Sequence, residues 1–189
     1  MNVSALQSLE LIERLHAYDS VSMPAIEVQQ SVDWVGTSLG IAGTPLLIGE
    51  GELQEIIETP DVTPIPGTKP WVLGVAAFKG GLLPILSGDV FFRKRPYTGA
   101  KRDYCMVVNR NGLRFGMTLS SIARDRRFPI DERVMDHPVD PDFAEFTLGG
   151  FEDGDEFLVV LDLDKLVANE DLANAAAEQV SSPKGENHE

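Results

Sequence analysis

Pro70-Trp71-Val72-Leu73-Gly74-Val75-Ala76-Ala77-Phe78-Lys79-Gly80-Gly81-Leu82-Leu83-Pro84-Ile85-Leu86-Ser87-Gly88-Asp89 decides how this chain folds. Two short apolar runs, 71–78 and 82–86, flank a Lys-Gly-Gly turn. Apolar runs of that length bounded by Gly and Pro predict strands rather than helices. Gly80 and Gly81 tolerate positive φ, as a tight connection between two strands requires. Gly74, in mid-strand, predicts a bulge or the close approach of another backbone. Pro84 lacks a ladder donor, which predicts an edge or bulged second strand. An edge strand beside an open apolar surface is a place for another protein to dock, and no catalytic group stands here.

Working outward, residues 34–42, 46–48, 53–58, 103–109, 113–119, 124–128, 145–151 and 156–161 read as further strands, making ten with the first two. Asn111-Gly112 is the clearest hairpin signal, and Asp153-Gly154 closes another. Many short strands at close spacing predict an all-β sandwich or barrel. Strand counting alone does not separate two five-stranded barrels from one larger sandwich. Residues 4–18 predict an amphipathic helix: Ser4 and Gln7 resemble a capping box, and Ala5, Leu9, Ile12 and Leu15 share one face. Residues 19–32 read as a linker, 162–167 as a short helix with Asp162 near its start, and 170–189 as a tail disordered towards its end.

The 189 residues suit one well-buried domain or two small ones sharing an interface. With no basic-then-apolar leader and no apolar run near the ~20 residues that span a bilayer, the chain reads as cytoplasmic, without membrane insertion. The net charge of −14 is unevenly spread, residues 69–133 holding 13 of the 16 Lys and Arg but only 5 acids. The whole repels nucleic acid, and within 93–102 only Tyr97 could stack on a base, so no nucleic-acid partner is expected. The basic segment reads as a solvated loop.

No catalytic chemistry assembles. His16, His137 and His188 fall in unrelated segments without ligand spacing, so neither a metal nor another cofactor is expected. Gly36-Thr37-Ser38-Leu39-Gly40 matches the Gly-x-Ser-x-Gly string of hydrolases. That string works only at a strand-to-helix elbow, and Gly43 and Pro45 break any helix here. Glu152-Asp153-Gly154-Asp155-Glu156 reads as a hairpin turn rather than a cation loop. Cys105, the single cysteine, sits in an apolar run and reads as a buried, inert thiol.

Residues 74–88 resemble the CheW family of chemosensory coupling proteins, whose pattern is Gly-Val-x-Asn-Leu-Arg-Gly-x-x-x-Pro-φ-φ-Asp-Leu with φ aliphatic. Leu53-Gln54-Glu55-Ile56 is similar to the family's Val-x-Glu-Ile strand, and the likeness runs on to 161–166. Trp71 and the segment before Trp34 look most like the version associated with type IV pili, the PilI group. Ala77, Lys79, Ser87 and Gly88 depart from the family's Asn, Arg, Asp and Leu.

The resemblance implies two SH3-like five-stranded β-barrels packed side by side with a small core between them. An N-terminal helix and linker (1–33) would precede the CheW-like domain (34–169). It implies a non-enzymatic adaptor coupling the cytoplasmic tip of a PilJ-like chemoreceptor to the regulatory domain of a CheA-like histidine kinase, in a pathway controlling type IV pilus (twitching) motility. The expected receptor-binding residues are Glu55, Gly74, Val75 and Lys79. Those expected to face the kinase are Leu53, Ile56 and Phe143. Strict alternation would put Leu53 and Glu55 on one face of their strand and Ile56 on the other. Glu55 also reads as a strand-end acid reaching solvent, Phe143 as a core plug, and Lys79 as the polar tip of a hairpin. The alternative function is a small-molecule-binding β-barrel sensor, marked by a deep apolar pocket with converging polar groups.

Overall fold

Two-residue turns fold the strand-prone runs back on themselves. Asn111 and Gly112 adopt φ of 52° and 81°, joining Arg110 to Leu113. Ala42-Gly43 does the same with φ of 53° and 78°, without any Asn or Asp to announce it. In the stretch that decides the fold, the left-handed pair is Lys79 (47°) and Gly80 (78°), not Gly80 and Gly81. Phe78 pairs with Gly81, so Gly81 already belongs to the next strand.

The computed structural model describes residues 32–95 and 102–174, so the expected helix at 4–18 lies outside the described residues. The strands are β1 (Asp33–Ile41), β2 (Thr44–Gly49), β3 (Glu55–Glu58), β4 (Val72–Phe78), β5 (Gly81–Leu86), β6 (Tyr104–Arg110), β7 (Leu113–Leu119), β8 (Ser121–Pro129), β9 (Thr147–Asp153) and β10 (Glu156–Leu161). They form two five-stranded sheets, ordered β8-β1-β2-β10-β9 and β3-β6-β7-β5-β4. Short helices α1 (Gly88–Arg93), α2 (Leu163–Ala168) and α3 (Glu170–Ala173) follow β5 and β10. Leu172 of α3 is buried in the core, so the start of the expected tail belongs to the folded body.

The second half of each sheet repeats one plan. Residues 74–87 and 149–162 are both hairpins that lead into a capped helix, with equivalent cross-strand pairs throughout: Val75 with Pro84 and Gly150 with Val159, Ala77 with Leu82 and Glu152 with Phe157. β5 runs parallel to β7, as β10 does to β2. Each hairpin starts at a positive-φ glycine against which a distant backbone lies. A Cβ on Gly74 would meet the Thr63 carbonyl oxygen at 2.1 Å, and one on Gly149 the Val134 oxygen at 2.4 Å. Thr63 then pairs with Val75, and Val134 with Gly150. The expected bulge is present too, as a register shift between Val72 and Gly74. Ser87 caps α1 by accepting from the Val90 amide, and Asp162 caps α2 from Asp164 and Lys165. Replacement of the family's Asp by Ser87 therefore keeps a competent N-cap. Gly88 stands where Leu is usual because a Cβ there would meet Ile41 Cγ2 and the Thr118 carbonyl, both at 2.7 Å.

Pro84 is not on an edge strand. β5 lies between β4 and β7. Val75 directs both its backbone groups to Thr63, at 2.8 and 2.9 Å, so its pairing with Pro84 is of the non-hydrogen-bonded kind. The ladder to β7 begins only at Ile85. The missing Pro84 donor thus falls where no bond is made.

Three cores result. Leu47, Phe128, Phe151, Leu158 and Val160 fill the first sheet, and Ala76, Leu83, Ile85, Cys105 and Val107 fill the second. The core between the sheets is the largest rather than the smallest, with 22 buried residues among those described. Phe91, Phe92, Phe143 and Phe146 occupy it, Phe92 stacking on Phe143 at 4.5 Å and meeting Phe91 edge-on at 5.2 Å. Such ring pairs add about 0.5–1.5 kcal/mol each beyond area burial. Arg93 seals this core rather than joining a solvated loop. It donates to the Ala42 carbonyl, Thr44 Oγ1, Asp140 and Asp142 at 2.7–3.2 Å.

Candidate cleft at the seam between the sheets

β3 and β8 are edge strands of different sheets, and an open cleft of about 690 Å³ lies between them. Val35, Ile48, Leu53, Ile56 and Ile122 supply its apolar lining. Glu50, Glu55, Asp125 and Arg127 supply its charges.

The local sequence explains the convergence. Glu52 Oε2 accepts from the Gly49 amide at 3.2 Å, tightening the turn that leaves β2. Leu53 falls in that turn, ahead of β3, and so escapes strand alternation. Leu53 and Ile56 consequently pack against the same shared core while Ile57 points into the second sheet's own core. Leu53 and Ile56, two of the three residues expected to face the kinase, therefore line the same cleft as Glu55, expected to face the receptor.

Lys79 reaches Glu55 across the sheet. Its Nζ lies 2.5 Å from Glu55 Oε1, with side chains 57% and 27% exposed. Lys79 Nζ is also 5.2 Å from the Phe78 ring centroid, and the Arg114 guanidinium is 5.0 Å from that ring on its own account. The pair ties the β4–β5 turn to β3, the two outer strands of one sheet. Arg126 of β8 and Asp153 of β9 do the same for the other at 3.1 Å. At this exposure such pairs contribute under about 1 kcal/mol each; they position rather than stabilise.

The remaining expected site residues lie elsewhere. Gly74 is buried, and its lack of a side chain is explained by Thr63. Val75 is half-buried on the outer face of the β4–β5 hairpin, which it shares with Ala77, Leu82 and Pro84. Leu82 is 72% exposed. Phe143 is fully buried between Phe92 and Arg93, so the core reading holds and its ring is not available to a partner. Sequence reading missed α1 and the Arg93 clasp, although Ser87 followed by Asp89 in the first turn is a helix-start signal.

Catalytic candidates dissolve on inspection of their surroundings. Ser38 is buried inside β1, paired with Leu47, and no turn exposes it. The flanking glycines are structural: a Cβ on Gly36 would meet the Ile48 oxygen, and one on Gly40 Ser121 Oγ, each at 2.3 Å. Cys105 is buried, and desolvation pushes its thiol up to about 11. His137 stacks on Phe157 at 3.6 Å. Among the described residues no three His, Cys, Asp or Glu cluster as metal ligands, and no helix is long and apolar enough to cross a membrane.

The described residues thus form a mostly-β fold of two sheets, with a cleft at their seam that has an apolar lining and charged residues on its walls. The family described as CheW-like domain matches residues 37–171, and the chain belongs to that family. It is 30% identical over 98 residues to Protein PilI of Pseudomonas aeruginosa, covering 52% of this chain and 55% of that protein. The chain thus spans just over half the length of that relative. It is 27% identical over 130 residues to chemotaxis protein CheW of Treponema pallidum, covering 66% and 76% respectively. The crystal structure of scaffolding protein TtCheW from Thermoanaerobacter tengcongensis shares the fold, with a TM-score of 0.64 over 74% of this chain and 96% of that one at 15% identity.

Proposed function

We propose that the chain is a non-enzymatic, cytoplasmic adaptor that holds the tip of a PilJ-like chemoreceptor to the regulatory domain of a CheA-like histidine kinase, in a pathway controlling type IV pilus (twitching) motility. Residues 34–169 would be the coupling domain, each sheet curling into an SH3-like barrel across its Glu55–Lys79 or Arg126–Asp153 seam. The observation that carries the reading is the cleft, where the turn before β3 brings Leu53 and Ile56 together beside Glu55. An apolar floor with a polar rim between two strand edges accepts an amphipathic helix, and we assign that place to the receptor tip. The outer face of the β4–β5 hairpin, with Leu82 at its centre, gives the kinase domain a separate apolar contact. Simultaneous binding raises the effective concentration of receptor for kinase, and small shifts at either contact bias kinase output.

The test uses the full chain with purified receptor tip and kinase regulatory domain. Leu53→Asp places a charge in the cleft and should abolish tip binding while sparing the kinase domain. Leu82→Asp should do the reverse. Loss of both partners in both variants with unchanged circular dichroism would refute the two-surface arrangement, and failure of the parent to bind either would refute the adaptor.

A further inference from the structure

We propose that the helix entering the cleft carries a Lys or Arg that binds the free oxygen of Glu55, and that Lys79 leaves that oxygen free because it is a lysine. The inference rests on the cleft being the receptor-tip site. Both groups that reach Glu55 meet the same atom: Lys79 Nζ at 2.5 Å and Gln54 Nε2 at 3.4 Å both contact Oε1. No described residue donates to Oε2. The carboxylate lines the cleft, with Glu50 and Asp125 on the same walls and Arg127 as the cation among the lining residues. Asp125 accepts from the Thr37 hydroxyl at 3.0 Å. The cleft therefore favours a cationic helix over an acidic one.

An ammonium is a point charge that satisfies one carboxylate oxygen, whereas a guanidinium fork is shaped to take both. The family's Arg at this position could close Glu55 on itself. Lys79 anchors the same carboxylate through one oxygen and leaves the second as an acceptor for the incoming partner. Lys79 is thus a positioning residue, and Glu55 is the contact. This differs from the expectation that Lys79 itself contacts the receptor.

Titrations of the full chain with the purified receptor tip, at low and at physiological salt, decide the matter. Glu55→Gln should weaken binding by about three- to fivefold, the worth of a part-exposed charge pair, and should flatten its salt dependence. Lys79→Met frees Oε1 and should bind at least as well as the parent. Lys79→Arg should weaken binding to the level of Glu55→Gln, because the fork occupies both oxygens. If Lys79→Met loses binding while Glu55→Gln keeps it, the tip presents an acid to Lys79 and the proposal is overturned, with the cleft still the receptor site. Equal affinity in all three variants overturns it as well. A parent chain whose tip binding is untouched by Leu53→Asp removes the cleft reading and this inference with it.

Discussion

Replacing Gly74 by Ala tests whether this glycine is kept for packing or for partner contact. Its φ of 142° lies where L side chains are strained, a cost of about 1–3 kcal/mol. The new Cβ would lie 2.1 Å from the Thr63 oxygen, 2.7 Å from its carbonyl carbon and 2.9 Å from Pro64 Cα. All three are backbone atoms, so no side-chain rotation relieves the overlap. The 62–64 segment must move off β4, giving up the two Thr63–Val75 hydrogen bonds at 2.8 and 2.9 Å. At about 1 kcal/mol net for each bond, the total reaches about 3–5 kcal/mol. For a body of this size that lowers the melting temperature by about 10 °C. Gly80→Ala is the control: its φ is 78°, nothing lies within 4 Å of its added Cβ, and it should cost about 1 kcal/mol. Urea titrations of the parent and both variants measure these differences. A Gly74→Ala chain as stable as the Gly80→Ala chain would refute the packing argument, and selective loss of receptor binding at parental stability would return Gly74 to the contact surface.

Arg93→Ala should destabilise the chain by about 2–4 kcal/mol, since it removes a buried-edge fork and leaves Asp140 without its cation; Arg93→Lys should recover less than half of this in denaturant titrations. Burial pushes the Asp140 carboxyl up, but the Asp142 amide and the Arg93 guanidinium outweigh it and hold it below its usual value of 3.8. A carboxyl depressed in the folded state stabilises above its unfolded value and loses that contribution as pH falls through the folded one. Stability should therefore fall with acid below about pH 4, and fall less steeply in Asp140→Asn, as followed by urea midpoints from pH 6 to pH 2.5. Cys105, buried and with its thiol pushed up to about 11, should resist a disulfide-exchange reagent at pH 8 in the folded chain and react at once in denaturant.

The strands were legible because each carries its signal locally. Residues 113–119 and 156–161 form strands with the expected bounds, and Asn111-Gly112 turns where such pairs turn. Hairpins with weaker chemistry were less so: the left-handed residues at Ala42 and Lys79 are imposed by the pairing on either side, not by their own preference. The repeat relating 74–87 to 149–162 leaves only Gly74 and Gly149, Leu83 and Leu158, and Leu86 and Leu161 identical. A pleated hairpin needs apolar residues on alternate positions rather than particular ones, so two different sequences hold the same register. The Arg93 clasp was invisible for another reason: Ala42, Thr44, Asp140 and Asp142 are brought to it by tertiary packing alone.

The repeat also bears on why the site is where it is. The paired modules are held together by the large shared core, and each leaves one edge strand, β3 or β8, at the seam. A cleft between two such edges follows from joining two modules in this way, before any selection for a partner. What distinguishes it is local: Leu53 is thrown into the cleft by the turn after β2, whereas the β8 side presents Ile122, Asp125 and Arg127 from a strand whose register against β1 shifts between Ile122 and Asp125. The modules diverge in the same sense at their hairpin tips, Lys79-Gly80 in one and Gly154-Asp155 in the other. One tip sends a cation to Glu55 at the cleft, and the other module holds its seam with Arg126 on Asp153. The repeated hairpin thus supplies a symmetric frame, and its two ends are unlike because Lys79 stands where the other tip has Gly154 and Phe78 where it has Asp153. A chain with Lys79 and Asp153 exchanged in charge would set an acid against Glu55 and a base against Arg126. Because each exposed pair is worth under about 1 kcal/mol, its urea midpoint should fall only slightly, and a collapse of the fold would refute the reading of these pairs as positioning contacts.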